Sequence, residues 1–281
     1  MDATDHLTSA LYAHYSRPKL SDELFQALDK AGVEISSYKD TAAFDEFHMR
    51  GRQATRELAD LAGLSKGQKV LDLGCGLGGP SRLLAAEYGC QVIGVDLIFE
   101  YIRAATLLSR RVGLARNAMF QVGNMAMLPF GDNCFEVTWS QHTLMNIENK
   151  SALYRQVHRV LKPGGLLALY EILSGSAVPI YYPVQWASNA GTNFLITQEQ
   201  FQGELGAAGF ELKVWQEVTD QCRQWFQATA AKMEKRAKDA ASPLGLNLVI
   251  GPSTAEKARN TLRNLAEDRI RVVYCLFKRR G

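Results

Sequence analysis

Four glycines within six positions, Gly74, Gly76, Gly78 and Gly79, follow the apolar run Val70–Leu73. After them comes Pro80-Ser81-Arg82-Leu83-Leu84-Ala85-Ala86-Glu87-Tyr88, with helical spacing and a proline in its first turn. A strand that turns tightly into a helix presents backbone N–H groups and the positive end of the helix dipole, and glycines let a ligand approach that backbone. The chemistry is that of holding a nucleotide-like cofactor. Gly74, Gly76 and Gly79 satisfy the dinucleotide spacing and Gly74, Gly76 and Gly78 the looser G-x-G-x-G form, so glycines alone do not choose the cofactor. Asp72 discriminates. Two residues before the first glycine, its carboxylate repels a pyrophosphate and attracts the sulfonium and ammonium of S-adenosylmethionine. That cofactor therefore ranks ahead of NAD or FAD.

Other candidates stand at the ends of apolar runs. Gln91–Val95 ends in Asp96, about twenty residues past the loop, where an acid can accept hydrogen bonds from both ribose hydroxyls. The alternative is a cap for a helix starting near Phe99. Leu97 and Ile98 can then cover one face of the adenine, and Met125 either packs on the other face or belongs to the core. Ser140-Gln141-His142-Thr143-Leu144-Met145-Asn146 follows the fourth run, where a methyl acceptor should approach. His142 is the candidate general base, because imidazole titrates near neutral pH; a structural hydrogen bond or a plain acceptor contact is the competing role. Gln141, counted with the cofactor-binding residues, and Asn146 can orient polar groups without charge. Glu171 ends the fifth run and is the second catalytic candidate: it faces the pocket to hold a cationic acceptor or act as a base, or it pairs with an arginine. No metal site is expected.

These positions need a scaffold. From Val70 the pattern alternates: runs of strand type at Val70–Leu73, Gln91–Val95, Ala118–Val122, Cys134–Trp139 and Leu166–Ile172, with helical spacing over Gly79–Tyr88, Glu100–Val112 and Lys150–Leu161. Such βα alternation predicts an α/β fold, a parallel sheet with right-handed crossovers, and ligands beyond the carboxyl ends of the strands. Lys162-Pro163-Gly164-Gly165 reads as a turn. Residues 1–64 form a helical N-terminal addition, with helices over Asp22–Ala31 and Gly51–Leu64 and a turn-like Ser36-Ser37-Tyr38-Lys39-Asp40 able to fold over the cofactor. Residues 65–281 form the cofactor-binding domain. Two of its segments lie on the substrate side: 174–200, aromatic and proline-bearing and too apolar for a free loop, and 220–268, a long helical insert. Arg223, Trp225 and Phe226 open that insert, and Thr197–Gln200 reads as a helix start.

With 281 residues, 47% hydrophobic content and a formal net charge of +3, the chain suits one α/β domain with additions. So small a charge gives no case for nucleic acid or an anionic membrane as the main partner. A small-molecule acceptor is the expected partner, and a homo-oligomer stays open. Five scattered cysteines without a C-x-x-C fit a reducing compartment. Met1, Asp2, Asp5 and His6 carry no signal pattern, and no apolar run has membrane length, so a soluble, cytoplasmic protein is expected.

Asp72 to Gly79, Gly94-Val95-Asp96, Gly123-Asn124-Met125 with Leu128-Pro129-Phe130, and Arg159 to Gly165 together resemble the ordered motifs of class I S-adenosylmethionine-dependent methyltransferases. Phe47 to Thr55 and Gly76 to Arg82 are most similar to the sarcosine/dimethylglycine N-methyltransferase-like group. The resemblance implies a Rossmann-like, mostly parallel seven-stranded sheet with an antiparallel last strand over Ile270–Phe277 at the sheet edge. It places His48, Met49 and Arg50 at an edge of the cofactor pocket. It also assigns Asn124 to the adenine amino group, where the family usually has an acid; the carbonyl oxygen of Asn124 can still accept. The implied reaction is methyl transfer to a small molecule, a small amine first. Oxygen or carbon methylation of a natural-product scaffold comes next, and cyclisation without methyl transfer is a further alternative.

Overall fold

The computed structural model describes residues 12, 14–236 and 253–281. Part of the long insert, residues 237–252, lies outside the described residues. Seven strands form one sheet: β1 (Lys69–Leu73), β2 (Gln91–Asp96), β3 (Ala118–Val122), β4 (Phe135–Gln141), β5 (Leu161–Ser174), β6 (Phe210–Glu217) and β7 (Ile270–Arg279). The order across the sheet is β3-β2-β1-β4-β5-β7-β6. β1 to β5 run parallel, and β7 lies antiparallel between β5 and β6, not at the expected sheet edge, which β6 takes by pairing with it. Around it stand α1 (Leu20–Lys30), α2 (Gly51–Leu61), α3 (Gly79–Glu87), α4 (Phe99–Arg111), α5 (Lys150–Val160), α6 (Gln198–Ala207), α7 (Thr219–Arg236) and α8 (Thr254–Ala266).

The period of two sorts the strands between two cores. Val70, Trp139, Ala168, Tyr170 and Tyr274 face one cluster with Ala54 and Leu58 of α2, Leu83 and Leu84 of α3 and Leu265 of α8. Leu71, Leu73, Leu167, Leu169 and Cys275 face the opposite cluster, built on Leu153 and Val157 of α5 and Phe201 and Leu205 of α6. A third cluster joins α1 to α4 through Leu20, Leu24, Leu28, Tyr101, Ala104 and Leu108.

Most elements stand where the pattern puts them, and Thr197 with Gln200 forms a capping box at the start of α6. The Lys162–Gly165 turn is the exception. β5 already pairs with β4 at Leu161, and the four residues form a register break before pairing resumes at Leu166. Gly164, at φ +76°, gives the strand this irregularity, since a left-handed residue with no Cβ bends a ladder without ending it. The Ser36–Asp40 segment is a short 3₁₀ turn over Tyr38–Thr41, boxed by Ser37 and Asp40. Among the described residues no helix is long and apolar enough to cross a membrane.

The chain leaves β1 toward β2 on one side of the sheet and returns to β4 on the other. The carboxyl ends of β1 and β4 are therefore neighbours at the switch point, where open sheets of this kind bind ligands.

Candidate active site

The glycine loop joins β1 to α3, with Gly74, Gly76 and Gly78 at φ +72°, +52° and +75°. A side chain would be strained at each position, and at Gly74 an added Cβ would lie 2.5 Å from the Thr143 side chain. Four of the loop amides are engaged within the protein. Gly74 and Cys75 donate to the Val95 carbonyl at 2.8 and 3.2 Å, and Gly78 donates to the Cys75 carbonyl at 2.8 Å. Gly76 donates to Asp96 Oδ2 at 2.9 Å.

Asp96 thus ties the loop to β2, and its Oδ1 also accepts from the amide of Ile98, the N-cap residue of α4. Asp96 is not the cap of α4, whose N-cap Ile98 has no side-chain cap, and each of its oxygens keeps a second lone pair for a ribose hydroxyl. Burial raises the carboxyl of Asp96 above its ordinary value, against the pull of these amides. Asp72 shares the face of Val70, which turns it toward α3. Its Oδ2 accepts a 2.5 Å bond from the Ser81 hydroxyl, and burial pushes its carboxyl up to about 7.

Two adenine-side residues also make contacts within the protein. Asn124 Oδ1, the atom offered to the adenine amino group, accepts from the Ala126 amide at 2.8 Å and caps the short turn Met125–Met127. Met125 packs against the cluster beneath α5 and α6, the core alternative. Leu97 stays half-buried beside Asp96.

The N-terminal addition walls the loop. Asp45 and Arg82 form a 2.6 Å ion pair in which neither side chain is exposed. Asp45 lies against Gly79, the first residue of α3, where an added Cβ would come within 3.1 Å of its Oδ1. The positive end of that helix therefore already faces a carboxylate of the protein. Arg52 pairs with Glu46 at 3.0 Å and donates to the carbonyls of Tyr38 and Lys39, which pins the 3₁₀ turn to α2. Burial, then Asp45, pushes the carboxyl of Glu46 up to about 8. The Phe47 ring covers Gly76.

The acceptor end is assembled from side chains. His142 leaves β4 at φ +50°, a left-handed conformation unusual for a residue with a Cβ. Its ring stacks on Tyr170 at 4.5 Å between centroids, and its Nε2 is buried with no partner. His48 stands edge-on at 6.2 Å. Burial, then His48, holds the His142 imidazole neutral, well below the usual range; burial takes His48 down to about 4. His48 Nε2 lies 3.0 Å from the Gly51 carbonyl and 3.1 Å from Thr55 Oγ1. Thr55 donates to Gln141 Oε1 at 3.2 Å, which also accepts from the Trp139 indole at 3.0 Å. Gln141 keeps a buried, unpartnered Nε2. Behind His142, Tyr170 stacks on Tyr274 at 4.6 Å; the Tyr274 hydroxyl meets Arg50, which is clamped by Glu57 at 2.8 and 2.6 Å. Asn146 Oδ1 accepts from the Tyr15 hydroxyl at 2.7 Å, and its Nδ2 donates to the carbonyls of Trp186 and Thr192.

Glu171 is not directed at the acceptor. Alternation along β5 sends it to the face opposite Tyr170, where it is fully buried. It accepts from the Ser140 hydroxyl at 2.8 Å and from the amides of Thr143 and Leu144 at 3.1 and 3.2 Å. It anchors the turn that carries His142. Burial pushes its carboxyl up to about 7. Arg223 pairs with Asp220 on the surface, and Phe226 packs on the core around Tyr170.

The sequence left Asp45, Thr55, Ser81 and Tyr15 without roles. Ser81 and Arg82 sit inside the motif that carried the resemblance, and the charge alternation Asp45, Glu46, Arg50, Arg52 was a usable sign of a paired segment.

Residues 71–169 match a family described as "Methyltransferase domain". A phosphoethanolamine N-methyltransferase of Triticum aestivum is 31% identical over 195 residues, which are 69% of this chain and 38% of that protein. The chain thus spans less than two fifths of that curated relative. A putative sarcosine dimethylglycine methyltransferase from Galdieria sulphuraria shares the fold, with TM-score 0.65 and 17% identity over 82% of this chain and 85% of the other. The [4+2]-cyclase SpnF does so with TM-score 0.65 and 22% identity over 93% and 94%.

Proposed function

We propose that this chain, whose residues 71–169 match a methyltransferase-domain family, transfers a methyl group from S-adenosylmethionine to a small organic acceptor. The observation that carries the reading is the state of the glycine loop. A pyrophosphate needs free amides and a bare helix end. Here the amides of Gly74, Cys75, Gly76 and Gly78 are engaged inside the protein, and the start of α3 faces Asp45. Asp72 and Asp96 add two more carboxyl groups near the loop. Such a surround suits a donor that carries positive charge.

When bound, S-adenosylmethionine supplies an electrophilic methyl on a sulfonium. The remaining work falls to the chain. Asp96 offers its free lone pairs to ribose hydroxyls. Asp72, held by Ser81, adds charge on the methionine side as it ionises. The Phe47 and Thr143 side chains lie over Gly76 and Gly74 and keep water from the loop. The turn at His142, fixed by Glu171, presents the acceptor side to the switch point, where orientation rather than bond activation carries most of the rate.

An amine acceptor, ranked first from the sequence, is supported by the name of the phosphoethanolamine relative. A second reading, in which the cofactor is held without methyl transfer, is supported by the near full-length match to a cyclase. Calorimetry with S-adenosylhomocysteine, NAD and FAD tests the cofactor. Uptake of the first alone is expected, and uptake of a dinucleotide in its place would reject the proposal. Formation of S-adenosylhomocysteine during turnover separates transfer from cyclisation.

A further inference from the structure

We infer that Lys257 of α8 and the side-chain amide of Gln185 form an anion site at the outer end of the acceptor wall, where they hold a carboxylate or phosphate of the acceptor. The inference rests on the methyl-transfer reading and concerns a part of the acceptor remote from the atom that takes the methyl.

The first ground is a polar stripe on α8, where a packed helix ordinarily turns apolar residues inward. Lys257, Asn260, Thr261 and Asn264 follow the spacing of one helical face, and all but Asn260 are fully buried. This face lies along segment 181–185, which satisfies three of its members. Asn264 donates to the Tyr181 carbonyl at 3.0 Å and accepts from the Tyr181 amide at 2.9 Å. Asn260 donates to the Pro183 carbonyl at 3.0 Å, and the Thr261 hydroxyl donates to Gln185 Oε1. Lys257 stands one turn before Thr261, only 6% exposed, and no hydrogen bond or ion pair reaches its ammonium from the described residues. Burial lowers that ammonium from its ordinary value, with no carboxylate opposing the shift.

The second ground is the contrast with its peers. Four lysine or arginine side chains are buried among the described residues. Arg50 has Glu57, Arg82 has Asp45, and Lys150 donates to the carbonyls of Ile147 and Phe194 at 2.7 and 2.6 Å. Lysine is almost never buried unless paired, because an uncompensated charge away from water is costly. A ligand oxyanion supplies the missing partner. Gln185 adds a donor beside it: with Oε1 held by Thr261, its half-buried Nε2 keeps two hydrogens without a partner among the described residues.

The third ground is position. His14 Nε2 lies 3.2 Å from the Gln185 carbonyl. Burial first, and the charge of Lys257 last, lower the His14 imidazole against the pull of that carbonyl, so the ammonium stands near the ring. From here two chain neighbours lead to the turn leaving β4. Tyr15 follows His14 and donates to Asn146 Oδ1 at 2.7 Å; Trp186 follows Gln185, and its carbonyl accepts from Asn146 Nδ2 at 2.9 Å. A small molecule reaching from the β4 exit toward α8 meets Lys257 with its far end.

The test loads the full chain with S-adenosylhomocysteine and titrates it calorimetrically with three matched pairs: sarcosine and sarcosinamide, phosphoethanolamine and ethanolamine, 4-hydroxybenzoate and 4-hydroxybenzamide. At least one anionic member should bind about tenfold tighter than its neutral counterpart, and the pair that shows it separates carboxylate from phosphate. Lys257→Met should erase that preference while the affinity for S-adenosylhomocysteine stays within about twofold, and Lys257→Arg should keep most of it. Without acceptor, Lys257→Met should unfold at or above the Tm of the parent protein, since an unpaired buried charge is gone. No preference in any pair, no binding of any of the three anions, or a preference that survives Lys257→Met overturns the anion site alone. A lower Tm in Lys257→Met, with the preference lost in Lys257→Arg as well, assigns Lys257 a packing role and also overturns it. Failure to take up S-adenosylhomocysteine overturns the methyl-transfer reading, and this one with it.

Discussion

The two ends of the site are held by different means. The cofactor end is backbone: three left-handed glycines, and loop amides bonded to Val95, Asp96 and Cys75, all within a span of 23 residues from Gly74 to Asp96. The acceptor end is side chains brought from far apart. Thr55 meets Gln141 across 86 positions, Tyr15 meets Asn146 across 131, and Arg50 meets Tyr274 across 224. A loop coded by backbone conformation tolerates almost no substitution but needs few partners. A wall coded by distant side chains changes one contact at a time, which is how one fold comes to serve many acceptors.

The sharpest way to break this contrast is Gly74→Val. With φ at +72° and Thr143 2.5 Å from the new Cβ, affinity for S-adenosylhomocysteine should fall more than about 100-fold by calorimetry. Retained affinity would mean that the loop is not set by its glycines.

Glu171→Ala comes next. It strips the acceptor from Ser140 and two buried amides, and chemical denaturation should show a loss of about 3 kcal/mol. A change confined to kcat would instead return Glu171 to the role of a base.

Acidity sharpens the comparison, because each end holds one buried acid with a folded value near 7, Asp72 and Glu171. Raised acids bind more protons in the folded than in the unfolded chain between their ordinary value and about 7. The stability these two acids contribute is therefore fully present on the acid side of that window and is lost as pH rises through it. Asp72→Asn should make stability fall less between pH 5 and pH 7.5 than it does in the parent protein, as read by denaturation at the two pH values. The smallest effect belongs to Thr55→Val, which removes one link of the acceptor wall and should cost about 1 kcal/mol while leaving cofactor affinity unchanged.

The same contrast explains what the sequence revealed. Strand and helix alternation and the glycine turn are local patterns, and the parallel part of the sheet follows them; the antiparallel closing strand came from the resemblance. Asp96 stands where its spacing placed it because loop and strand are bonded neighbours. Glu171 was misdirected because a polar side chain has several available partners and only the packed chain selects one, and for the same reason Asn124 also caps a turn that the sequence did not announce. For Glu171 the choice was set by strand parity, since Tyr170 takes the face of α2 and leaves the other to its neighbour. Met125 followed the more general rule that such a residue fills the core. Asp45 and Thr55 carried no local mark, because their meaning comes from Arg82 and Gln141 at other places in the chain.

The placement of β7 between β5 and β6 bears on how the protein is made. During synthesis β6 emerges before β7, the one strand it pairs with among the described residues, and Arg50 waits for Tyr274, 224 positions later. The half of the sheet built from β1 to β4 can zip as it appears, while the far edge and the wall behind His142 close together, last, on one strand. Nascent chains arrested before Ile270 should therefore expose the β5 edge to chaperones, and release should follow the appearance of that strand.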